Sequence, residues 1–322
     1  MKNVSIIVCC YNSALKLPKT LEYLAQQKVS VDLSYEVIVV DNASADNTAE
    51  FAMSYWGTLN TNVPLRVVRE ETPGLIYARI CGVKAAKNEL LIFCDDDNWL
   101  REDYVQNAVD IMNTDTTIGA LGGQSVLAPG IEAPVWWEEH QGNYAVGKQL
   151  PETGNANKRG FVYGAGMVTR TDLARIIFDK QYPFLLTGRK GSQCLSGEDW
   201  EYCQRTMMAG YDLYYDERLF YWHDINPSRL TEEQLSKLLH SFEISSYIQE
   251  KYEYAQTFYR HSSLYNLLCL AIRLGNYFAS KNHVKGRKKQ LLKMHLSMFG
   301  LYADKDLDII KKYIKLSGRS AK

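Results

Sequence analysis

The chain has 322 residues, with 37 Lys and Arg against 37 Asp and Glu, and is 46% hydrophobic and 23% charged. That composition excludes wholesale disorder, and the length suits one large domain or two of roughly 150 residues. Zero net charge gives no overall pull toward nucleic acid, so none is expected as a partner. The balance hides an asymmetry, because residues 281–322 hold 12 Lys and Arg but three Asp and Glu, a surplus of +9 set against −9 upstream.

Seven cysteines, an odd number that includes the adjacent pair Cys9-Cys10 and no CxxC, read as reduced packed thiols and point to the cytoplasm. Met1-Lys2-Asn3 passes directly into Val4–Val8, with no signal-peptide pattern. No apolar run approaches the ~20 residues of a spanning helix.

In chain order, Val4–Cys10 is a short apolar run rich in β-branched residues, followed by a helix with Leu17, Leu21, Leu24 and Ala25 on one face and Pro18 in its first turn. Tyr35–Val40 predicts a second strand, Asn47 a cap for the helix Thr48–Tyr55, and Leu65–Arg69 a third strand. A helix over Ile76–Lys87 and the apolar strand Leu90–Cys94 follow. Strand and helix alternating at this spacing imply βαβ units and a mostly parallel sheet flanked by helices. Residues 115–170, with Gly122-Gly123 and several prolines, predict loops and short strands. Asp199–Ala209 returns to helical period and closes at Gly210. Asp212–Tyr215 and Leu219–Trp222 predict two short strands. Thr231-Glu232-Glu233-Gln234 is a capping box that opens a helical remainder.

In such sheets ligands bind outside the carboxyl ends of the strands. Those ends carry Tyr11-Asn12, Asp41-Asn42 and Asp95-Asp96-Asp97-Asn98. Three consecutive carboxylates after a buried strand repel one another, so a cation is expected beside them. Hard oxygen ligands call for Mg²⁺ or Mn²⁺, held by one or two carboxylates plus substrate phosphates. The alternative is a solvated acidic turn capping the next helix. A dinucleotide GxGxxG is missing after the first strand, and an aspartyl phosphatase would carry its DxD there.

The stretches Val4–Asn12, Val39–Thr48 and Phe93–Asn98 resemble family 2 glycosyltransferases. Gly74–Gly82 with Ala78-Arg79, Gly164-Ala165-Gly166-Met167 and Ser196-Gly197-Glu198-Asp199-Trp200 continue the match in order over roughly residues 3–225. The resemblance implies an α/β, GT-A nucleotide-sugar-binding fold and inverting glycosyl transfer from a nucleotide-diphosphate sugar, with UDP as the family-level expectation. It implies a donor site of Tyr11, Asn12, Asp41, Arg79, Asp95 and Asp96, in which Asp41 holds the base with Arg79 near it and Asp95 meets the ribose. Asp97 would be the second acid of a DxD holding Mn²⁺ or Mg²⁺, His223 a further metal ligand, and Asp199 the catalytic base. Cys9-Cys10 stands where Pro-Thr is commoner, and Ala45 where Thr is usual.

Bland readings stand beside these. Ser196–Asp199 also fits an S-x-x-D cap, which would lower the carboxyl pKa. Trp136-Trp137 with Glu138-Glu139 reads as a sugar platform or as packing. His223 reads equally as a hydrogen-bonded structural residue. Glu198 and Arg229 are candidates for the acceptor or diphosphate. A sugar nucleotidyltransferase would carry a glycine- and cation-rich loop after the first strand, but Cys10–Leu17 has no Gly and a single Lys. A catalytically inactive nucleotide-sugar-binding protein is the non-enzyme alternative. The boundary is expected near 228, dividing a catalytic domain 1–228 from a helical extension 229–322. The acceptor is expected to be a glycan or a lipid-linked glycan of cell-surface polysaccharide synthesis, chosen by loops around 123–160 and 180–195. Within residues 286–316, Leu291, Leu292, His295, Met298, Phe299 and Tyr302, then Leu307, Ile310 and Ile314, recur at helical spacing beside lysines. Three partners compete for these faces: the cytoplasmic membrane surface, the catalytic domain, or a second subunit in a homodimer.

Overall fold

A computed structural model describes residues 3–190, 193–279 and 282–320. The first half comprises β1 (Val4–Cys10), α1 (Leu17–Ala25), β2 (Tyr35–Asn42), α2 (Thr48–Trp56), β3 (Leu65–Glu70), α3 (Leu75–Ala85), β4 (Leu90–Asp95), β5 (Asn98–Leu100) and α4 (Tyr104–Thr114). It continues with β6 (Ile118–Leu127), α5 (Trp137–His140), β7 (Gly154–Asn155), β8 (Val168–Arg170), α6 (Thr171–Ile177), β9 (Gly188–Lys190) and β10 (Gln193–Leu195). Then come α7 (Glu198–Met208), β11 (Asp212–His223), α8 (Glu232–Arg260), α9 (Ser263–Phe278), α10 (Asn282–Met298) and α11 (Lys305–Ser320). Gly191 and Ser192, within the 180–195 loop singled out above, lie outside the described residues.

The main sheet runs β3-β2-β1-β4-β8-β6-β11-β5, with β7 on β11. Its first four strands are parallel and β8 enters antiparallel. Both faces are covered, which is why β1 and β2 are apolar almost throughout. Ile6 and Val8 pack with α1 and α4 on one side, while Ile7 packs with α3 and Phe93 on the other. The register sets Cys10 opposite Asp41 and Cys9 opposite Asp95. The carboxyl ends of three strands therefore share one rim.

Three local expectations change. Residues 118–127, in the region expected to hold loops and short strands, form the ten-residue strand β6 between β8 and β11 in the main sheet. Its glycines are there for close approach: a Cβ on Gly123 would lie 2.0 Å from the Leu219 carbonyl oxygen. The two short strands expected over 212–222 are one strand, β11, whose register against β6 shifts between Tyr215 and Phe220. Asn47 precedes α2 but makes no side-chain cap; Asp46 instead accepts the Thr48 N–H at 3.1 Å.

The C-terminal helices fold back on the sheet domain. Thr231 accepts the Gln234 N–H at 3.3 Å and so opens α8 as its capping box predicts. Met294 and Met298 of α10 and Leu307 and Ile310 of α11 are buried with Tyr252 and Ala255 of α8, and Trp200 and Met208 of α7 pack against them. Within the same interface Glu201 and Arg205 are fully buried and paired at 2.7 Å, with the Tyr252 hydroxyl donating to Glu201 at 2.6 Å. Asp304 caps α11 by accepting the Asp306 and Leu307 N–H groups at 3.1 Å, and the nearly buried Lys251 donates to Asp304 and Asp306 at 2.9 and 2.7 Å. The stripes singled out over 286–316 thus turn largely inward, and intramolecular packing accounts for them. No described helix is long and apolar enough to cross a membrane.

Candidate active site

A cavity of about 1100 Å³ opens at the rim where β1, β2 and β4 end, roofed by α8 and the residues before α7. Tyr11, Arg79, Asp95, Asp96, Asp97, Glu198, Asp199, His223 and Arg229 all line it, so most of the singled-out residues meet in one place. Asn12, Asp41, Trp136 and Trp137 do not line it. Asn12 is committed to the turn, its side-chain oxygen accepting the Ala45 N–H at 2.8 Å. Asp41 is buried, accepting from Arg69 at 2.6 Å and from the Ser44 N–H at 3.1 Å; its neighbour Asn42 reaches the wall. The tryptophans pack with Tyr144 and Ile225, ring centroids 6.0 and 5.5 Å from Tyr144. Packing, and not a sugar platform, is what the structure gives this pair.

At the β4 end the three acids cap no helix, since β5 follows at once and Asp103 stands before α4. Asp97 is buried, with Oδ1 3.4 Å from His223 Nε2 and Oδ2 3.4 Å from an Arg229 nitrogen. Burial works to raise the Asp97 pKa, but His223, then Arg229 and Lys16, outweigh it and hold the carboxyl well below its usual range. Asp96 goes the other way, pushed up to about 6 by burial and by Asp97, although it accepts a hydrogen bond from Ser13 Oγ and lies 3.7 Å from Lys16.

The donor set fits a divalent cation. Adjacent ligands on a six-coordinate ion with bonds of about 2.1 Å sit about 3 Å apart, close to the Asp97–His223 separation. The His223 Nδ1 is buried without a hydrogen-bond partner. Among the described residues no cluster of three His, Cys, Asp or Glu would hold a metal by itself. A diphosphate would have to complete the coordination, which is the ordinary Mg²⁺ arrangement.

At the other wall, Gly197 precedes α7 at φ 110°, a left-handed conformation natural to glycine, so the helix opens without a side-chain cap. Ser196 Oγ bonds Ser241 Oγ at 2.8 Å instead, and the S-x-x-D cap does not form. Asp199 accepts the Trp200 N–H at 2.8 Å and the Gly164 N–H at 3.2 Å. Burial raises its pKa, and Arg79 and these N–H groups only partly oppose the rise. Gly164 is small for a reason: a Cβ there would lie 2.7 Å from Arg79 and 3.1 Å from the Asp199 Cβ. Arg79 is buried, stacks over Phe93 at 5.3 Å, lies 3.9 Å from Glu198 and keeps its Nε unpartnered. Cys9 beside it is half-buried at the cavity wall, and loss of solvent pushes its thiol pKa up to about 12; no disulfide joins the described cysteines.

Sequence reasoning missed several wall residues. Lys16 was visible as the lone cation after β1. Arg159, stacked over Phe161 at 4.4 Å and Tyr163 at 5.1 Å, carried a signal in the run Arg159–Tyr163. Leu238, Leu239 and Phe242 come from α8, far along the chain, and nothing local marks them.

The model of the family described as Glycosyl transferase family 2 matches residues 5–174. The chain belongs to this family. Among its relatives, the Bacillus subtilis (strain 168) glycosyltransferase EpsJ is 25% identical over 313 residues, covering 89% of this chain and 82% of EpsJ. The Haloferax volcanii glycosyltransferase AglE is 30% identical over 120 residues, 37% of this chain and 38% of AglE. Several of the curated relatives are matched over only about a third of their length. Of solved structures, a Pyrobaculum calidifontis mannosyltransferase in complex with GDP-Man and Mn²⁺ superposes with TM-score 0.53 at 17% identity, covering 100% of this chain and 76% of that one. Staphylococcus aureus TarS 1–349 in complex with UDP-GlcNAc gives 0.51 at 17%, covering 99% and 92%. The GT-A family fold, with its helical C-terminal region, is what these superpositions establish.

Proposed function

We propose that the protein is an inverting glycosyltransferase that moves a sugar from a nucleotide-diphosphate donor to an acceptor hydroxyl. The observation that carries this reading is the pairing, across one cavity, of an Asp97 held ionised among cations with an Asp199 whose carboxyl is tuned upward. A UDP-sugar is the donor class proposed, the class TarS carries in its UDP-GlcNAc complex. The proposed acceptor is a glycan or lipid-linked glycan of cell-surface polysaccharide synthesis, met on the cytoplasmic side.

Asp97 and His223 would hold Mn²⁺ or Mg²⁺, which when bound supplies Lewis-acid stabilisation of the leaving diphosphate. Arg229 and Lys16 add positive charge at the same wall, where negative charge grows as the glycosidic bond breaks. Asp199 takes the proton from the attacking acceptor hydroxyl, and its raised pKa brings it nearer the working pH for that task. The Gly164 and Trp200 N–H groups fix the carboxylate's direction. Tyr11, Asp95 and Asp96 line the donor side, and Asp41 would support the base pocket from behind Asn42. Residues 1–228 form the proposed catalytic domain, with 229–322 as its extension; Arg229, Leu238 and Phe242 complete the wall from that side.

A screen of nucleotide sugars with Mn²⁺ or Mg²⁺, with and without glycan acceptors, tests the proposal. Metal-dependent release of a nucleoside diphosphate is the expected result. Pyrophosphate release from a nucleoside triphosphate and a sugar phosphate, with none from any nucleotide sugar, would turn the reading to a nucleotidyltransferase.

A further inference from the structure

Helix α9 packs along α10 by one side, and Arg273 stacks over Tyr254 of α8 at 5.3 Å. Asn266 is its one buried residue, donating to the Phe258 carbonyl at 2.9 Å, while the Asn266 carbonyl accepts from His295 Nε2 at 2.8 Å. The opposite face is apolar and bare. Leu264, Leu268, Ile272 and Phe278 are 79%, 59%, 53% and 76% exposed, and with Ala271 and Gly275 they follow one another at three- and four-residue steps along a single face. A Cβ on Gly275 would meet nothing within 4 Å, so the middle of that face is open. A large aromatic and three branched aliphatics held in water on one helix are not scattered surface exposure.

Charge tells what the face is built to meet. From residue 254 to residue 303, fifty residues in a row, the chain has no Asp or Glu and eight Lys and Arg. Arg260 and His261 at the entry to α9 are exposed, as are Arg287 and Lys289 on α10, the helix that holds α9. A second copy of this chain would bring the same surplus of positive charge to the contact. An apolar stripe within a stretch of chain that carries cations and no acid suits a bilayer whose surface is negative, with the stripe among the acyl chains and the cations at the headgroups.

We propose that α9, with Arg260 at its entry and Arg287 on the neighbouring α10, is an interfacial helix that docks the protein on an anionic lipid surface. The docking lies outside the cavity and does not depend on which sugar is transferred. The test is cosedimentation of the full chain with phosphatidylglycerol–phosphatidylcholine vesicles and with pure phosphatidylcholine vesicles, at low and high salt, beside the double variant Leu264→Gln/Leu268→Gln and the exposed-loop control Val31→Gln. Wild type and control should pellet with the anionic vesicles, less so at high salt and on neutral ones, and the double variant should lose about tenfold or more in partitioning. Both altered leucines are exposed, so an unchanged thermal midpoint should accompany the loss. No pelleting of wild type on anionic vesicles at low salt overturns the proposal, as does pelleting that the double variant retains. A dimer in sedimentation velocity that the same two substitutions dissociate, with no vesicle binding, would assign the face to a second copy instead.

Discussion

At the end of β4, Asp97 sits among His223, Arg229 and Lys16; at the start of α7, Asp199 sits beside Arg79 and under two backbone N–H groups. Asp97 is buried and Asp199 half-buried, and both face cations in the same cavity, yet their pKa values move in opposite directions. The difference lies in the count and closeness of positive charge: around Asp97 it exceeds the cost of burial, and around Asp199 it does not. In the proposed reaction one acid is a permanent charge for a phosphate-bound cation, and the other exchanges a proton. Two carboxyls pushed apart by their surroundings are how one site separates electrostatic work from acid–base work.

Four substitutions would break or sharpen that contrast. The largest effect is expected of Asp97→Ala, which should abolish transfer and the Mn²⁺-dependent part of donor affinity. Calorimetric titration with donor nucleotide checks it, and undiminished metal-dependent affinity would remove Asp97 from the cation site. Asp199→Asn should lower kcat by about 10²–10⁴ while donor affinity stays near normal, as loss of a positioned base does. Turnover above about a tenth of wild type would leave Asp199 a structural residue of the α7 start.

Gly164→Ala should cost about tenfold in kcat, because the new Cβ must displace the Arg79 guanidinium and shift the Asp199 side chain beside it. Steady-state kinetics on the folded variant reads this, and an unchanged kcat would show that Arg79 can move without disturbing Asp199. The smallest effect belongs to an acid outside the cavity wall. Asp46→Ala removes the acceptor for the Thr48 N–H at the start of α2 and should lower stability by about 1 kcal/mol, read as a lower urea midpoint. Turnover should hold.

Much of this was legible in the chain. The apolar runs Val4–Cys10, Tyr35–Val40 and Leu90–Cys94 announce strands buried on both faces, and their polar ends mark the rim where Asp95–Asp97 appear. What stayed hidden depends on distant neighbours. Gly122 and Gly123 look like loop residues until Val162 and Leu219 are seen pressing against them in the sheet. The segment 104–114, unassigned from sequence, is helix α4, with Tyr104, Val105, Ala108 and Val109 buried against the sheet. Trp136-Trp137 has the composition of a sugar platform, and only the neighbouring Tyr144 shows that the rings are spent on packing. The direction of the Asp199 pKa was likewise open, because helix position and burial oppose each other, and only the folded surroundings show that burial outweighs Arg79 and the backbone N–H groups. The basic C-terminal region divides the same way: periodicity showed helices, but which faces turn inward was fixed by Tyr252 and Ala255 on α8.

The central claim is that Asp199 works as a base with its carboxyl raised above the ordinary value of about 4, and the pH dependence of kcat at saturating donor, acceptor and metal tests it most directly. A base must be ionised to act, so kcat should fall as pH drops through the raised Asp199 pKa. That acid limb should lie above the ordinary carboxylate range and vanish from the residual activity of Asp199→Asn. A wild-type kcat that stays flat down to about pH 4 with the fold intact, or a limb that persists unchanged in Asp199→Asn, would contradict the account.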